Sequence, residues 1–278
     1  MRTSIRKQRG LTLVELMIAM TLGMILSLAI GQVFMSSRHT NTSTEANARM
    51  QENARFAFLL LERELRMAGF VRTGAANGFT PAIRPIAFAD GTGVNSSDEI
   101  TVRYQGSDNA AATGADNTVV NCIGEPARND EMVVDRFYVA NNAAGEPSLF
   151  CDAVRPSNTA VTTTTELITG VESFQVLLGE DTNADRTADR YLGVGVGVPV
   201  PNVDNVVSVK VSLLLRSDDR VIEGRESRKF NHFGAGYAPG DVPPVADAGA
   251  VFNSAGAALD SRMRRLYHSN VALRNRLN

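Results

Sequence analysis

The hydrophobic pattern divides the chain into one apolar run near its N-terminus and a much longer mixed part. Residues 11–35 contain a single charged residue, Glu15. At about 1.5 Å per residue, a helix of this length extends roughly 37 Å, and the hydrocarbon core of a bilayer is about 30 Å thick. The pattern therefore predicts that residues 11–35 cross a membrane once as a helix.

Helical periodicity returns after a polar stretch at residues 36–44. Apolar residues then recur at steps of three and four, so that they share one helix face. They are Met50, Ala54, Phe58, Leu61, Leu65 and Ala68. Gly69 is a plausible stop. We therefore expect residues 36–69 to continue the same helix, with an amphipathic half that packs on the rest of the protein.

Beyond residue 69 the pattern changes to short alternating runs between Gly-, Asn- and Pro-containing loops. Alternation predicts strands near residues 100–104, 132–140, 173–178 and 206–215. In the last run Val207, Val209 and Val211 share one face, while Ser208 and Ser212 lie on the other. A polar second face favours an antiparallel sheet. The sequence thus predicts an α+β protein whose β-rich part covers residues 70–278.

The charge distribution supports export of that part. Arg2, Arg6, Lys7 and Arg9 precede the apolar run, and the first ten residues hold no acid. By the positive-inside rule, the N-terminus stays in the cytoplasm and the remainder is exported. The remainder has more acidic than basic residues, which gives no reason to expect nucleic-acid binding.

Glu15 argues against the two common interpretations of the apolar run. An ordinary signal peptide would be cleaved near Ser27–Ala29, and a plain signal anchor would be retained. Neither explains a carboxylate inside an apolar segment, where a charge is costly and marks a functional candidate. The alternative to a functional role is that Glu15 lies near the edge of the membrane and extends its carboxylate into water.

The order of residues at the start of the run resembles the class III leader of type IV prepilins. Gly10 is followed by Leu11-Thr12-Leu13-Val14-Glu15 and then by the apolar helix. The resemblance implies that prepilin peptidase removes residues 1–10 by cleavage after Gly10 and methylates the amino group of Leu11, where many members have Phe. It also implies that Glu15 meets the terminal amine of a neighbouring subunit during assembly.

Further segments resemble PilW-type minor pilins, namely residues 147–151, 170–176 and 271–276. The implied fold is the type IV pilin fold, a long N-terminal helix packed on a mainly antiparallel sheet. The implied role, without enzymatic activity, is initiation of pilus assembly near the fibre tip, in support of twitching motility and adhesion. Implied partners are other minor pilins, the major pilin, prepilin peptidase and the inner-membrane assembly machinery. The protein would pass from the inner membrane, with its C-terminal part in the periplasm, into the extracellular pilus.

Two other functions remain open at this stage. A pseudopilin of a type II secretion system carries the same leader. An exported adhesin or enzyme could also use a pilin-type anchor. The His residues are scattered, and no catalytic set can be assembled from the sequence.

Two smaller features concern the exported part. Cys122 and Cys151 are the only cysteines, and export to an oxidising compartment favours a disulfide between them over two free buried thiols. Asp181, Asn183, Asp185 and Asp189 follow the spacing of a calcium loop, although that loop's Gly and final Glu are absent. The sequence predicts a weak calcium site or, as the alternative, a solvated turn, and it indicates no other cofactor.

Overall fold

The computed structural model describes residues 12–72, 79, 83–155, 158–193, 202–220, 229–234, 251–253 and 262–276. One helix, α1, covers Leu13–Met67. The chain divides into two compact units, Met1–Glu45 and Ala46–Asn278, and the boundary falls within α1. The long helix predicted from the two apolar patterns is therefore confirmed.

The second unit holds most of the β-structure in two antiparallel sheets. The larger is a five-stranded meander in the order β1-β2-β3-β4-β5. Its strands are β1 Ile86–Ala89, β2 Glu99–Gln105, β3 Met132–Asn141, β4 Pro147–Arg155 and β5 Asn158–Thr169. The predicted strands near residues 100–104 and 132–140 correspond to β2 and β3.

The smaller sheet has four strands in the order β11-β8-β6-β7. Its strands are β6 Val171–Glu180, β7 Arg190–Gly193, β8 Val206–Arg220 and β11 Arg262–Ala272. A separate pair consists of β9 Lys229–Asn231 and β10 Val251–Asn253. Every strand pair in both sheets is antiparallel, as the sequence predicts.

The second half of α1 contributes one face to the main hydrophobic core. Residues at three- and four-residue steps from Ala54 to Ala68 join buried residues of both sheets in one cluster. The helix then ends at a backbone turn in which Gly69 has φ +76°, a left-handed conformation that glycine adopts readily. The side chain of Asn275, from the far end of the chain, donates to the carbonyls of Arg66, Met67 and Ala68.

A short segment before β2 connects the two sheets. The Asp98 N–H donates to the carbonyl of Phe174, and the Val176 N–H donates to Oδ2 of Asp98, at 2.8 and 2.9 Å. The Phe174 N–H donates to Oγ of Ser97 at 3.1 Å. This segment therefore satisfies backbone groups of β6 that neither β7 nor β8 reaches.

The polar second face of β8, which carries Ser208 and Ser212, is buried as well, and β6 beside it is buried on both sides. His232, which directly follows β9, is fully buried. Its ring nitrogens lie 2.8 Å from Oγ of Ser212 and 3.0 Å from Oγ of Ser173. Burial lowers the pKa of His232 to about 3, so the ring is neutral. Ser212, on the polar face of β8, thus binds a residue that covers this face.

Candidate assembly site

The first unit presents an apolar helix with no protein packed against it. All described residues of α1 up to position 35 are exposed, and the exposed fraction reaches 74% at Leu13. This helix is long and apolar enough to cross a membrane. The structure therefore fits the single membrane span predicted for residues 11–35.

Glu15 forms a capping box with Thr12 at the start of α1. The backbone N–H and hydroxyl of Thr12 donate to Oε2 of Glu15 at 3.1 and 3.0 Å. The N–H of Glu15 donates back to the Thr12 hydroxyl at 3.2 Å. This reciprocal pattern satisfies helix N–H groups that have no partner within the helix. The spacing Thr-x-x-Glu was available in the sequence, and our sequence interpretation missed this local role.

The residues predicted for cleavage and methylation, Gly10 and Leu11, lie outside the described residues, as does the predicted leader over residues 1–10. The capping box begins directly after them. A free terminal amine at Leu11 would therefore belong to the residue that precedes the helix cap.

In the second unit, α1 also exposes an apolar pair on the side away from the core. Phe56 is 52% exposed and Leu59 is 64% exposed, whereas Ala57 and Leu61 are buried. Large exposed apolar side chains are less favourable in water than buried ones by about 1.5–3 kcal/mol each. The pair is suited to contact with another protein.

The structure confirms the disulfide between Cys122 and Cys151, whose Cα atoms lie 6.6 Å apart. Cys151 lies on β4, and Cys122 lies in the loop between β2 and β3. Both cysteines are buried and belong to the main core. The bond fixes this long loop onto the five-stranded sheet.

A buried acidic cluster next to the disulfide was missed by sequence reasoning. The Tyr104 hydroxyl lies 2.5 Å from Oε2 of Glu64 and 2.9 Å from Oδ2 of Asp135, and all three side chains are buried. Glu64 lies seven residues after Ala57 on the helix, and this spacing places both on the buried face.

The predicted calcium residues lie in the turn between β6 and β7. The Asp181 carboxylate accepts backbone N–H groups of Asn183, Ala184 and Arg186 at 3.1, 2.7 and 2.7 Å. The Asp189 carboxylate accepts the N–H of Thr182 at 2.7 Å. These bonds shape the turn and are compatible with the turn alternative. Calcium binding by Asp181, Asn183, Asp185 and Asp189 stays a prediction.

Arginines on β8 and β11 form ion pairs with Glu172 of the same sheet and with Glu146 beside the larger sheet. Arg264 donates to both carboxylate oxygens of Glu172, at 2.6 and 2.8 Å. Arg216 lies 3.2 Å from Glu172 and also binds Glu146, which is bound in turn by Arg262 at 3.0 Å. Because Glu146 precedes the larger sheet's β4 and the arginines lie on β8 and β11, these residues have a structural role.

Comparison with models of known protein families assigns the chain to a family. Residues 136–275, half of the sequence, match the family of type IV pilus-assembly protein W, PilW. The chain belongs to the PilW family. The matched part begins in β3 and includes the ion pairs, the acidic turn and the C-terminal cap. Because this family consists of pilus components, the PilW-family chain is not an enzyme.

Residues 5–31 of this PilW-family chain also match the prokaryotic N-terminal methylation motif. This match spans Arg6, Lys7 and Arg9, the capping box and most of the apolar run. Together with the apolar helix, it fits membrane anchoring and prepilin processing, and it implies partners within the pilus.

Among solved structures, the type IV-like pilin TTHA1219 from Thermus thermophilus is similar to this PilW-family chain. The TM-score is 0.45 and the identity 15%, with 82% of this chain and 98% of that chain covered. No curated protein sequence gives a significant match.

Proposed function

We propose that this PilW-family protein is a minor pilin that helps to initiate type IV pilus assembly at or near the fibre tip. Twitching motility and adhesion would depend on it through the fibre. The observation that carries the proposal is Glu15, a carboxylate within an apolar helix and within the methylation motif. Family membership supports the pilus as the setting.

Processing would convert the chain into an assembling subunit. Prepilin peptidase cleaves after Gly10 and methylates the new amino group of Leu11. The basic residues before Gly10 favour a cytoplasmic N-terminus, and the rest of the chain is then exported to the periplasm. Mass spectrometry of the purified protein tests this step, because the expected mature chain begins with N-methylated Leu11.

Glu15 would then pair with the terminal ammonium of a neighbouring subunit. In a low-dielectric environment a misplaced helix leaves both charges unpaired, so the pair sets the stagger between helices. The exposed pair Phe56 and Leu59 would add apolar contact with the same kind of partner, the N-terminal helix of another pilin.

The capping box offers a matched control for this role. Glu15→Ala removes both the cap and the charge, whereas Thr12→Ala disrupts the cap and keeps the carboxylate. We expect both variants to be processed and exported, but only Glu15→Ala to be lost from sheared pili by more than about tenfold. Equal incorporation of the two variants would show that Glu15 only caps the helix.

Two alternatives give different phenotypes on deletion. If the protein is a minor pseudopilin of a type II secretion system, its deletion would impair protein secretion and leave pili intact. A pilin-anchored calcium-dependent adhesin would leave fibres intact and abolish attachment, and its β6–β7 turn would give a thermal shift with calcium. If the protein is the proposed minor pilin, its deletion instead reduces the number of surface fibres, and expression of the wild-type protein restores them.

A further inference from the structure

Three buried side chains from three different elements meet beside the disulfide. Glu64 comes from α1, Tyr104 from β2 and Asp135 from β3. The Tyr104 hydroxyl is 2.5 Å from Oε2 of Glu64, 2.9 Å from Oδ2 of Asp135 and 2.9 Å from the carbonyl of Val120. All three contacts are within hydrogen-bond distance.

The number of protons in this arrangement is constrained by the chemistry of its atoms. A tyrosine hydroxyl has one proton to donate, and a carboxylate or a backbone carbonyl can only accept. If both carboxyls were ionised, the hydroxyl proton could satisfy one of its three neighbours. The other two contacts would then bring lone pairs together in a buried site. A proton on either carboxyl converts one of these contacts into a donated hydrogen bond.

The charged and polar groups around the cluster do not balance two negative charges. Arg63, half-exposed on α1, donates to the other oxygen of Glu64, Oε1, through Nε at 2.8 Å. The Cys122 N–H donates to Oδ2 of Asp135 at 2.9 Å. Oδ1 of Asp135 is buried, and no group among the described residues donates a hydrogen bond to it. One arginine therefore faces two carboxyls and the dipole of the Val120 carbonyl.

The pKa shifts of the three residues agree with a proton held between the two carboxyls. Burial raises the pKa of Glu64, although Tyr104 and Arg63 act in the opposite direction. Burial, followed by the charge of Glu64, raises the pKa of Asp135 to about 8. Burial and the two acids also raise the pKa of Tyr104, so its hydroxyl keeps its proton.

We propose that Glu64 and Asp135 hold one shared proton at neutral pH through Tyr104, and that this carboxyl latch fastens α1 to the disulfide-bonded loop. The position supports a fastening role. An oxygen of Asp135 lies within 4.8 Å of both sulfur atoms, and the Asp135 carboxylate also binds the backbone of Cys122. Glu64 lies in the last turn of α1, one residue before the core residue Leu65.

The latch makes the free energy of unfolding depend on pH, since two carboxyls that are normally ionised at neutral pH hold a proton in the native state. Unfolded Asp and Glu titrate near pH 4, so between about pH 4 and 8 the native chain binds more protons than the unfolded chain. Stability then falls as pH rises. One extra bound proton increases the unfolding constant by up to about tenfold per pH unit.

The test uses the full chain in detergent micelles, with denaturant unfolding measured from pH 5 to pH 8. Glu64→Gln keeps the shape and hydrogen-bonding capacity of the side chain but removes its charge. Glu62→Gln is the matched control, because it makes the same change two residues earlier on a partly exposed side chain. Asp98 and His232 also titrate unusually, but their effects are common to all three proteins and cancel in the comparison.

We expect the unfolding constant of wild type, divided by that of Glu64→Gln, to increase at least tenfold between pH 5 and pH 8. The same ratio for Glu62→Gln should stay within about twofold. A ratio for Glu64→Gln that does not change with pH would overturn the proposal.

Infrared spectroscopy of the folded protein provides a test that does not depend on stability. Burial also raises the pKa of Asp98 to about 8, so the test compares difference spectra, in which Asp98 cancels. Wild type minus Glu64→Gln should show a protonated-carboxyl band at neutral pH, whereas wild type minus Glu62→Gln should not. A wild type minus Glu64→Gln spectrum without that band would overturn the proposal. If Glu64→Gln does not fold, Asp135→Asn replaces it as the variant that lacks the shared proton. Isotope labelling of the glutamate carboxyls in the wild type then shows whether a glutamate contributes to the band. Absence of any protonated-carboxyl band in the wild type at neutral pH would refute the shared proton.

Discussion

At the scale of single residues, Asn275 shows how one polar side chain can fasten two distant parts of the chain. The last carbonyls of a helix lack partners within the helix and need an external donor. The Asn275 amide lies 3.2–3.3 Å from the carbonyls of Arg66, Met67 and Ala68. The C-terminal segment thereby caps the helix that begins the chain.

Asn275→Ala should lower the free energy of unfolding by about 1 kcal/mol, because it removes one amide donor group from these carbonyls. Denaturant unfolding of the full chain in micelles measures the effect. Arg274→Ala, at the exposed neighbouring position, is the control and should change stability by less than about 0.5 kcal/mol. Equal stability of the two variants would argue against the cap.

The same scale shows which residue roles the sequence could predict. Glu15 stands out because no other charge lies within residues 11–35, so composition alone identifies it. Glu64 does not stand out, since Glu62, Arg63 and Arg66 surround it and a solvated face is the usual interpretation. Its burial depends on Tyr104 and Asp135, which are distant in sequence and come together only in the folded core.

At the scale of elements, regular apolar patterns gave reliable predictions and irregular ones did not. The helix and the strands β2, β3 and β8 have helical or alternating spacing of apolar residues, which predicted the elements although β2 and β8 are buried on both faces over much of their length. In contrast, β5 contains four consecutive threonines and no apolar alternation marks it. The burial of the polar face of β8 could not be predicted, because His232, which covers Ser212, comes from a segment that follows the strand.

The disulfide-bonded loop is the element with the clearest energetic prediction. Cys122 and Cys151 are separated by 29 residues, and closing a loop of this length stabilises the folded state by roughly 3–4 kcal/mol through the unfolded chain. Cys122→Ser should lose most of this amount in denaturant unfolding under oxidising conditions. Under strong reductant the variant and wild type should differ much less, and identical unfolding of the two proteins without reductant would contradict a stabilising bond.

At the scale of the whole unit Ala46–Asn278, the question is what keeps the two sheets together. The shared core around α1 supplies the apolar contact. The segment before β2 supplies backbone bonds to β6. The ion pairs of Glu146 with Arg216 and Arg262 add a third connection, and Glu172 binds Arg216 and Arg264 within the smaller sheet.

The ion pairs should matter despite the small value of most surface salt bridges, because Glu172 is only 4% exposed and Arg264 only 11%. Arg264→Ala removes two hydrogen bonds from the Glu172 carboxylate, which keeps its contact with Arg216. We expect a loss of about 1–3 kcal/mol in the free energy of unfolding, since hydrogen bonds to buried charged groups have this value. High salt should reduce the loss only partly, because buried pairs are weakly screened. Arg265→Ala, at the exposed next position of β11, should leave stability nearly unchanged. If both variants behaved alike, the ion pair between Arg264 and Glu172 would contribute nothing measurable to stability.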